Sequence, residues 1–304
     1  MLKSKFLIEK IKDKYFSLSA EKYAVKRYND EILSASKEYV ELENQLGKTR
    51  FLLAKAEYLQ DEEQIKHLST EVEVYKKRIE DLKTTLNLAP VKYTCHTCKD
   101  TGVINGKRCR CYYKYLTEFA LESLGITNPE KAEFSNLVQT PNLSKQFKII
   151  KNYADNFPNT KVFNLLFFGN VGTGKTELAK CVLTSVKKRD NIALFLTATE
   201  LNSIFVKMHT AEVDRNLITE VLQDADLLII DDLGTETIYK NVTIEYLLSL
   251  VSNRIDKGKH LIVTTNLDDG ELKQRYNERF SSRLLDKSKT LLIPFFSDDF
   301  RKNL

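Results

Sequence analysis

An α/β fold with a parallel five-stranded sheet, preceded by an α-helical hairpin and a small zinc-binding segment, is what this sequence predicts. Three observations carry the prediction. Five short apolar runs at 162–168, 192–197, 226–230, 261–265 and 290–295 alternate with helix-compatible stretches, the pattern of a parallel sheet with helices on both faces. The first run leads straight into Gly169-Asn-Val-Gly-Thr-Gly-Lys-Thr176, a glycine-rich loop between strand and helix. Ahead of Pro90 the chain has a single glycine, Gly47, and its apolar residues recur at three- and four-residue spacing, as helices require.

Composition sets the limits. With 304 residues and 42% hydrophobic side chains, the chain is long enough for one sizeable α/β domain plus an appendage. A net charge of +5 permits an anionic partner such as nucleic acid without arguing for one. No apolar run approaches the ~20 residues of a membrane helix. The opening Met-Leu-Lys-Ser-Lys-Phe-Leu-Ile-Glu-Lys puts charges where a signal peptide carries its apolar core. The expected location is the cytoplasm, with no membrane partner. The five cysteines are then expected as metal ligands or reduced thiols and not as disulfides.

The first thirty residues carry many lysines among Phe6, Leu7, Ile8, Ile11, Tyr15 and Phe16, which suits a solvated amphipathic helix. Two apolar stripes follow. Ile32, Ala35, Tyr39, Leu42, Leu46, Leu53 and Ala56 form the first, with Thr49 as a polar interruption; Ile65, Leu68, Val72, Tyr75, Ile79, Leu82 and Leu86 form the second. The stripes are out of phase, and the break at 59–64 contains Asp61-Glu-Glu-Gln64, which has the spacing of a capping box. An antiparallel helical hairpin with facing apolar seams is the expected result, coiled-coil-like but too short to demand a long dimeric coiled coil.

Beyond Pro90 lies Cys95-x2-Cys98, ten residues, then Cys109-x-Cys111. Four thiolates from two knuckles, with Gly102 and Gly106 permitting a tight hairpin between them, suit a tetrahedral structural Zn²⁺. A segment so poor in apolar residues needs such a staple to order itself. His96, adjacent to Cys95, is expected to point away. Helices are expected at 112–125 and 143–157, joined by a linker carrying Phe134.

The glycine-rich loop is expected to hold a nucleotide polyphosphate. Backbone amides of Gly169, Asn170, Val171, Gly172, Thr173 and Gly174 converge on the phosphates, and the following helix points its positive dipole end at them. Lys175 is expected to reach the β- and γ-phosphates, and the Thr176 hydroxyl to ligate Mg²⁺. The bland alternative is a turn that happens to precede a lysine; the flanking strand and helix argue against it. Leu227-Leu-Ile-Ile-Asp231-Asp232 ends a buried run in two acids. Asp231 is assigned to the Mg²⁺ shell and Asp232 to polarising the attacking water. Asn266, in Thr264-Thr-Asn266, can orient that water because an amide donates and accepts. Arg279 and Arg283 lie one helical turn apart, suited to a γ-phosphate supplied by a neighbouring subunit.

Taken together, Gly169–Thr176, Leu227–Gly234, Thr264–Asn266, Arg279–Arg283 and Ser297-Asp-Asp-Phe-Arg301 resemble the AAA+ ATPases of the bacterial replicative-helicase loader family (DnaC/DnaI type). The Cys95–Cys111 block resembles the zinc segment of its Firmicutes and phage branch. The match covers 91–304 well and the helical front only in general character. The resemblance implies ATP, Mg²⁺ and Zn²⁺ as ligands, Asn266 as the sensor 1 residue, Arg283 as arginine finger with Arg279 beside it, and Arg301 as the sensor 2 arginine. It implies a partner-binding region at 1–90, a zinc segment at 91–117 and an AAA+ domain at 118–304. The partners implied are the hexameric replicative DNA helicase, single-stranded DNA and further copies of the chain itself. Asp-Asp stands where most AAA+ proteins carry Asp-Glu, which fits slow, switch-like hydrolysis.

Only eight residues follow Phe296, so a separate helical lid is not expected, and hydrolysis is expected to need neighbouring subunits. An alternative is a transposition helper of the IstB type, which shares the ATPase core and binds duplex DNA. A vestigial binding module and a nucleoside kinase fit less well, the first because the whole set of catalytic residue types is present, the second because Arg301 and the cysteines stay unexplained. Lys207, Lys240 and Lys257 are the candidate DNA contacts.

Overall fold

The computed structural model describes residues 4–127, 129–137 and 143–296. Ser297–Arg301, and with it the expected sensor 2 arginine Arg301, lies outside the described residues. The chain divides into two compact units, one of residues 12–109 and the other of residues up to Ile11 together with those from Arg110 onward. This division by compactness differs in its boundaries from the regions 1–90, 91–117 and 118–304 expected from the sequence.

In the first unit the part of α1 (Ser4–Ala35) from residue 12 onward is followed by α2 (Lys37–Tyr58) and α3 (Glu62–Thr85). The apolar stripe expected from Ile32 to Ala56, with Thr49 as its one polar interruption, is cut at Ser36. That residue is extended (ψ 108°) and its hydroxyl accepts from the Tyr39 amide, capping α2. Ile32 and Ala35 therefore belong to α1. Serine favours such a cap because its side chain satisfies an otherwise orphaned helix-start amide. Asp61 caps α3 in the same way, accepting from the Gln64 amide at 3.1 Å. The hairpin of α2 and α3 closes over Leu42, Leu46, Val72 and Ile79, with Tyr39, Leu53, Tyr75 and Leu82 packed around them. Thr49 is buried in the helix and not merely an interruption.

The cysteine-bearing segment forms a two-stranded hairpin, β1 (Val103–Ile104) and β2 (Lys107–Arg108), paired antiparallel. Its turn residues Asn105 and Gly106 both take positive φ (49° and 76°), as a two-residue hairpin turn demands. Within the same unit Asp100 is buried. It accepts from the backbone amides of Thr94 and Cys95 and pairs with Lys22 at 2.6 Å. Burial opposes ionisation of Asp100, but Lys22 and the two amides outweigh it and hold the carboxyl below its ordinary range. Gly102, at φ 74°, sits where a Cβ would enter the Tyr15 ring.

The second unit carries the sheet. Its elements are α4 (Arg110–Ser123), α5 (Ser144–Asn156), β3 (Asn164–Gly169), α6 (Lys175–Lys188), β4 (Ala193–Thr197), α7 (Ala198–His209) and α8 (Arg215–Asp224). They continue with β5 (Leu227–Leu233), α9 (Thr243–Asp256), β6 (His260–Thr265), α10 (Asp269–Tyr276), α11 (Glu278–Leu284) and β7 (Thr290–Phe295). The strands lie in the order β4-β5-β6-β3-β7, every pair parallel. The five expected strands are all present; β5 alone differs appreciably, running on past the acid pair to Leu233. Strands β3, β4, β5 and β6 are buried almost throughout, as expected for a parallel sheet covered on both faces. Leu165, Phe167, Ile229, Ile262 and Ile293 form one core layer with Phe147 and Ile150 of α5 and Leu178 and Val182 of α6.

The beginning of α1 belongs to this unit. Leu7 and Ile11 are fully buried, and Lys10 pairs with Glu122 of α4 while lying over the Phe119 ring. The solvated helix expected for the first thirty residues is thus anchored at its start. At the opposite end of the strands from the glycine-rich loop, Arg254 is fully buried and donates to the carbonyls of Leu222, Gln223, Ala225 and His260. It satisfies the end of α8 and the start of β6 with one side chain. No helix among the described residues is long and apolar enough to cross a membrane.

Candidate active site

The carboxyl end of β3 runs into the loop 170–174 and then α6, which begins at Lys175. Gly169 (φ 131°) is fixed as glycine because a Cβ there would collide with the backbone of Phe295 on β7; the neighbouring Asn170 amide donates to the Phe295 carbonyl at 3.0 Å. Gly174, at φ 85°, turns the chain into α6 without a side-chain cap, leaving the helix-start amides for an anion. The Thr173 hydroxyl donates to the Asn170 carbonyl and closes the loop. Lys175 is 5% exposed, and its ammonium donates to the carbonyls of Gly169 (2.9 Å) and Asn170 (2.5 Å). Val171 stands exposed on the loop.

The hydroxyl of Thr176 lies 3.1 Å from both carboxylate oxygens of Asp231. Asp231 is buried, and burial is the main cause that raises its pKa. The neighbouring Asp232 pushes the same way, while hydrogen bonds from Thr264 and Thr176 oppose it. A hydroxyl and a buried carboxylate held together in this way are the oxygen set that a small hard cation takes, with its phosphate partner supplying further oxygens. A cation there favours the charged carboxylate that burial disfavours.

The register between β5 and β6 shifts between Ile230 and Leu233. This bulge contains both acids, and Asp232 sits in it at φ 54°. The Thr264 hydroxyl organises it, donating to Asp231 Oδ1 at 2.7 Å and accepting from the Asp232 amide at 2.8 Å. The consequence is a division of labour. Asp231 is buried beside Thr176, whereas Asp232 is half-buried and keeps the access that a group meeting a water molecule needs. Sequence reasoning missed Thr264. Its only signal was a hydroxyl side chain at a strand tip beside the acid-bearing strand.

Asn266 follows the end of β6 and is exposed. Arg279 and Arg283 both lie on α11 and are exposed, and Arg283 pairs with Asp256 of α9 at 2.9 Å. The structure therefore brings Gly169–Thr176, Asp231 and Asp232 into one cluster, and places the two arginines outside its hydrogen-bond network.

The four cysteines expected as metal ligands also converge. The Sγ atoms of Cys95, Cys98, Cys109 and Cys111 all lie within 4.8 Å of one another. Those of Cys95 and Cys109 are 3.8 Å apart, which is about the 3.8 Å that a tetrahedral site with ~2.3 Å Zn–S bonds requires. The Gly102 amide donates to Cys98 Sγ, a bond that favours the thiolate a metal needs. His96 is exposed and not part of the cluster. Cys181 is buried elsewhere, in α6, its thiol pushed up to about 12 by burial and therefore inert.

Comparison with known proteins bears on this site directly. The family model for the bacterial DnaA ATPase domain matches residues 129–287, more than half of the chain and all of the cluster around Lys175 and Asp231. The chain belongs to the bacterial DnaA ATPase-domain family. It is an AAA+ ATPase, and the expected resemblance to helicase loaders is met as well. The replicative helicase loader DnaC of Buchnera aphidicola (subsp. Schizaphis graminum) is 28% identical over 162 residues, covering 52% of this chain and 64% of that protein. DnaC of Escherichia coli K12 is 25% identical over 158 residues, covering 51% and 62%. The chain thus spans somewhat under two thirds of the length of the curated relatives it matches. A crystal structure of the DnaC helicase loader aligns with a TM-score of 0.48 at 22% identity, over 54% of this chain and 96% of that one.

Proposed function

We propose that this AAA+ ATPase is an ATP-switched loader that places the hexameric replicative DNA helicase on single-stranded DNA. The observation that carries the proposal is the joint presence of an assembled Lys175–Thr176–Asp231–Asp232 site, a four-cysteine cluster and a helical front, in a chain similar to DnaC. Gly169–Gly174 and Lys175 hold the phosphates of ATP, and Thr176 and Asp231 hold Mg²⁺. When bound, the cation neutralises charge on the phosphates. Asp232 accepts the proton of the attacking water, and Asn266 orients that water. Arg283, with Arg279 beside it, reaches the γ-phosphate of a neighbouring copy, so turnover is slow in the isolated chain and rises on assembly. Arg301 acts as the sensor 2 arginine.

Regions 1–90 and 91–117 grip the helicase, the second stapled by Zn²⁺ on Cys95, Cys98, Cys109 and Cys111, while 118–304 forms the ATPase. Lys207, Lys240 and Lys257 are the candidate contacts to single-stranded DNA, whose binding then weakens steeply with salt. The work is done in the cytoplasm. Co-purification with the hexameric helicase, with and without ATP and followed by mass measurement of the complex, tests the reading. A stable complex of defined mass whose yield changes with ATP is expected. Capture of a transposase and duplex DNA in place of the helicase points instead to the IstB-like helper.

A further inference from the structure

Glu236 is a buried acid that the nucleotide site does not use. It lies four residues beyond Asp232 on the loop leaving β5, only 3% exposed. A carboxylate is retained in such a place only when its oxygens are matched by donors, and here each one is. Glu236 Oε2 accepts from the Gly234 amide at 3.0 Å. Oε1 accepts from the hydroxyl of Tyr276, the fully buried last residue of α10. The backbone carbonyl of Glu236 accepts from Arg275, whose guanidinium also lies over the Tyr276 ring. Burial, then the adjacent carboxylate, pushes the Tyr276 phenol well above its ordinary range, so it stays a donor.

Both ends of this latch are chemically consequential. On one side, Leu233 and Gly234 connect Glu236 to the bulge bearing Asp231 and Asp232. That stretch is pinned by the Thr265 hydroxyl on the Leu233 carbonyl (2.6 Å), and Gly234 (φ 114°) lies against Leu267. On the other side, the Tyr276 ring packs against Phe280 of α11, tilted by 50° with the ring centroids 5.0 Å apart. Asn277 ends α10 and caps α11 in one residue, at φ 82°, its side-chain oxygen accepting from the Phe280 amide. Arg279 and Arg283 follow on that short, capped helix.

We propose that Glu236 and Tyr276 are positioning residues: they tie the acid-bearing end of β5 to the helix that presents Arg279 and Arg283, so that the state of a subunit's own site sets the pose of the arginines it offers to its neighbour. The offering to a neighbour rests on the assembly described under the proposed function. The mechanical link within one subunit does not, because every bond in it is intrachain.

Tyr276→Phe removes one hydroxyl and keeps the ring on Phe280. The expected result is a five- to tenfold fall in kcat for ATP, with Kd for MgATP changed less than twofold. Glu236→Ala falls at least as far, and Glu236→Gln, which keeps a carbonyl acceptor, recovers part of the rate. The double variant Tyr276→Phe/Glu236→Gln is expected to be no slower than the slower single variant, since both break one link. Mixing Tyr276→Phe chains with Lys175→Ala chains, whose latch is intact, should raise turnover above that of Tyr276→Phe alone. Equal kcat in Tyr276→Phe and the unaltered chain overturns the proposal, as does a kcat loss matched by an equal rise in Kd. A kcat loss without rescue on mixing overturns the link to the neighbour and leaves Glu236 acting on its own acids alone.

Discussion

Replacing Lys175 by alanine is expected to lower the affinity for MgATP by about a hundredfold or more, since each charge-assisted bond to phosphate contributes about 1.5–3 kcal/mol and the ammonium is proposed to reach two phosphates. The structure already places this side chain for the task. Lys175 opens α6 and is almost wholly buried under its own loop, with its ammonium already held against the carbonyls of Gly169 and Asn170. The stem therefore needs no reorganisation to present its charge to a phosphate; it exchanges carbonyl oxygens for phosphate oxygens. Titration with a fluorescent ATP analogue measures the loss. An affinity within threefold of the unaltered chain contradicts the assignment of this loop as the phosphate cradle.

Removal of the zinc proposed for the four-cysteine cluster is expected to have the second large effect. Metal binding to a structural site of four thiolates supplies on the order of 10 kcal/mol of folding free energy, and little else here can replace it. The hairpin of β1 and β2 has exposed strands, so its order depends on Cys98 and Cys109, which are buried, and on the turn around Asp100. Chelation, or Cys109→Ser, is expected to open the stretch 93–111 to proteolysis while the parallel sheet, held by its own core, keeps its melting transition. Metal analysis of the purified chain should give one zinc per chain. Absence of zinc together with proteolytic resistance after chelation contradicts the site.

Much of this was legible in the residues. The five strands stand out because a parallel strand covered on both faces must be a continuous apolar run, and the phosphate loop because Gly169-x4-Gly174-Lys175-Thr176 stands between an apolar strand and a helix. The four cysteines were readable because a solvent-rich segment has few other ways to order. What escaped were features that one side chain imposes on another strand's backbone. The bulge at Asp231–Asp232 depends on the Thr264 hydroxyl, and periodicity carries no trace of that. The break at Ser36 was hidden by an apolar stripe whose spacing continues across it. Leu7 and Ile11 looked like scattered apolar residues, since nothing local announces that they pack with α4's unit. Glu236 carries no signal of its own in the sequence, because Tyr276, which donates to it, lies forty residues away.

The central claim, that one subunit's nucleotide is hydrolysed with arginine from the next, is tested most directly by mixing two inactive variants. Lys175→Ala chains retain Arg283 but cannot hold ATP, and Arg283→Ala chains hold ATP but lack the arginine. With ATP, single-stranded DNA and helicase present, each variant alone is expected to be nearly inactive and the mixture to regain a substantial part of the unaltered rate. Full turnover by Arg283→Ala alone, or no recovery in the mixture, contradicts the account.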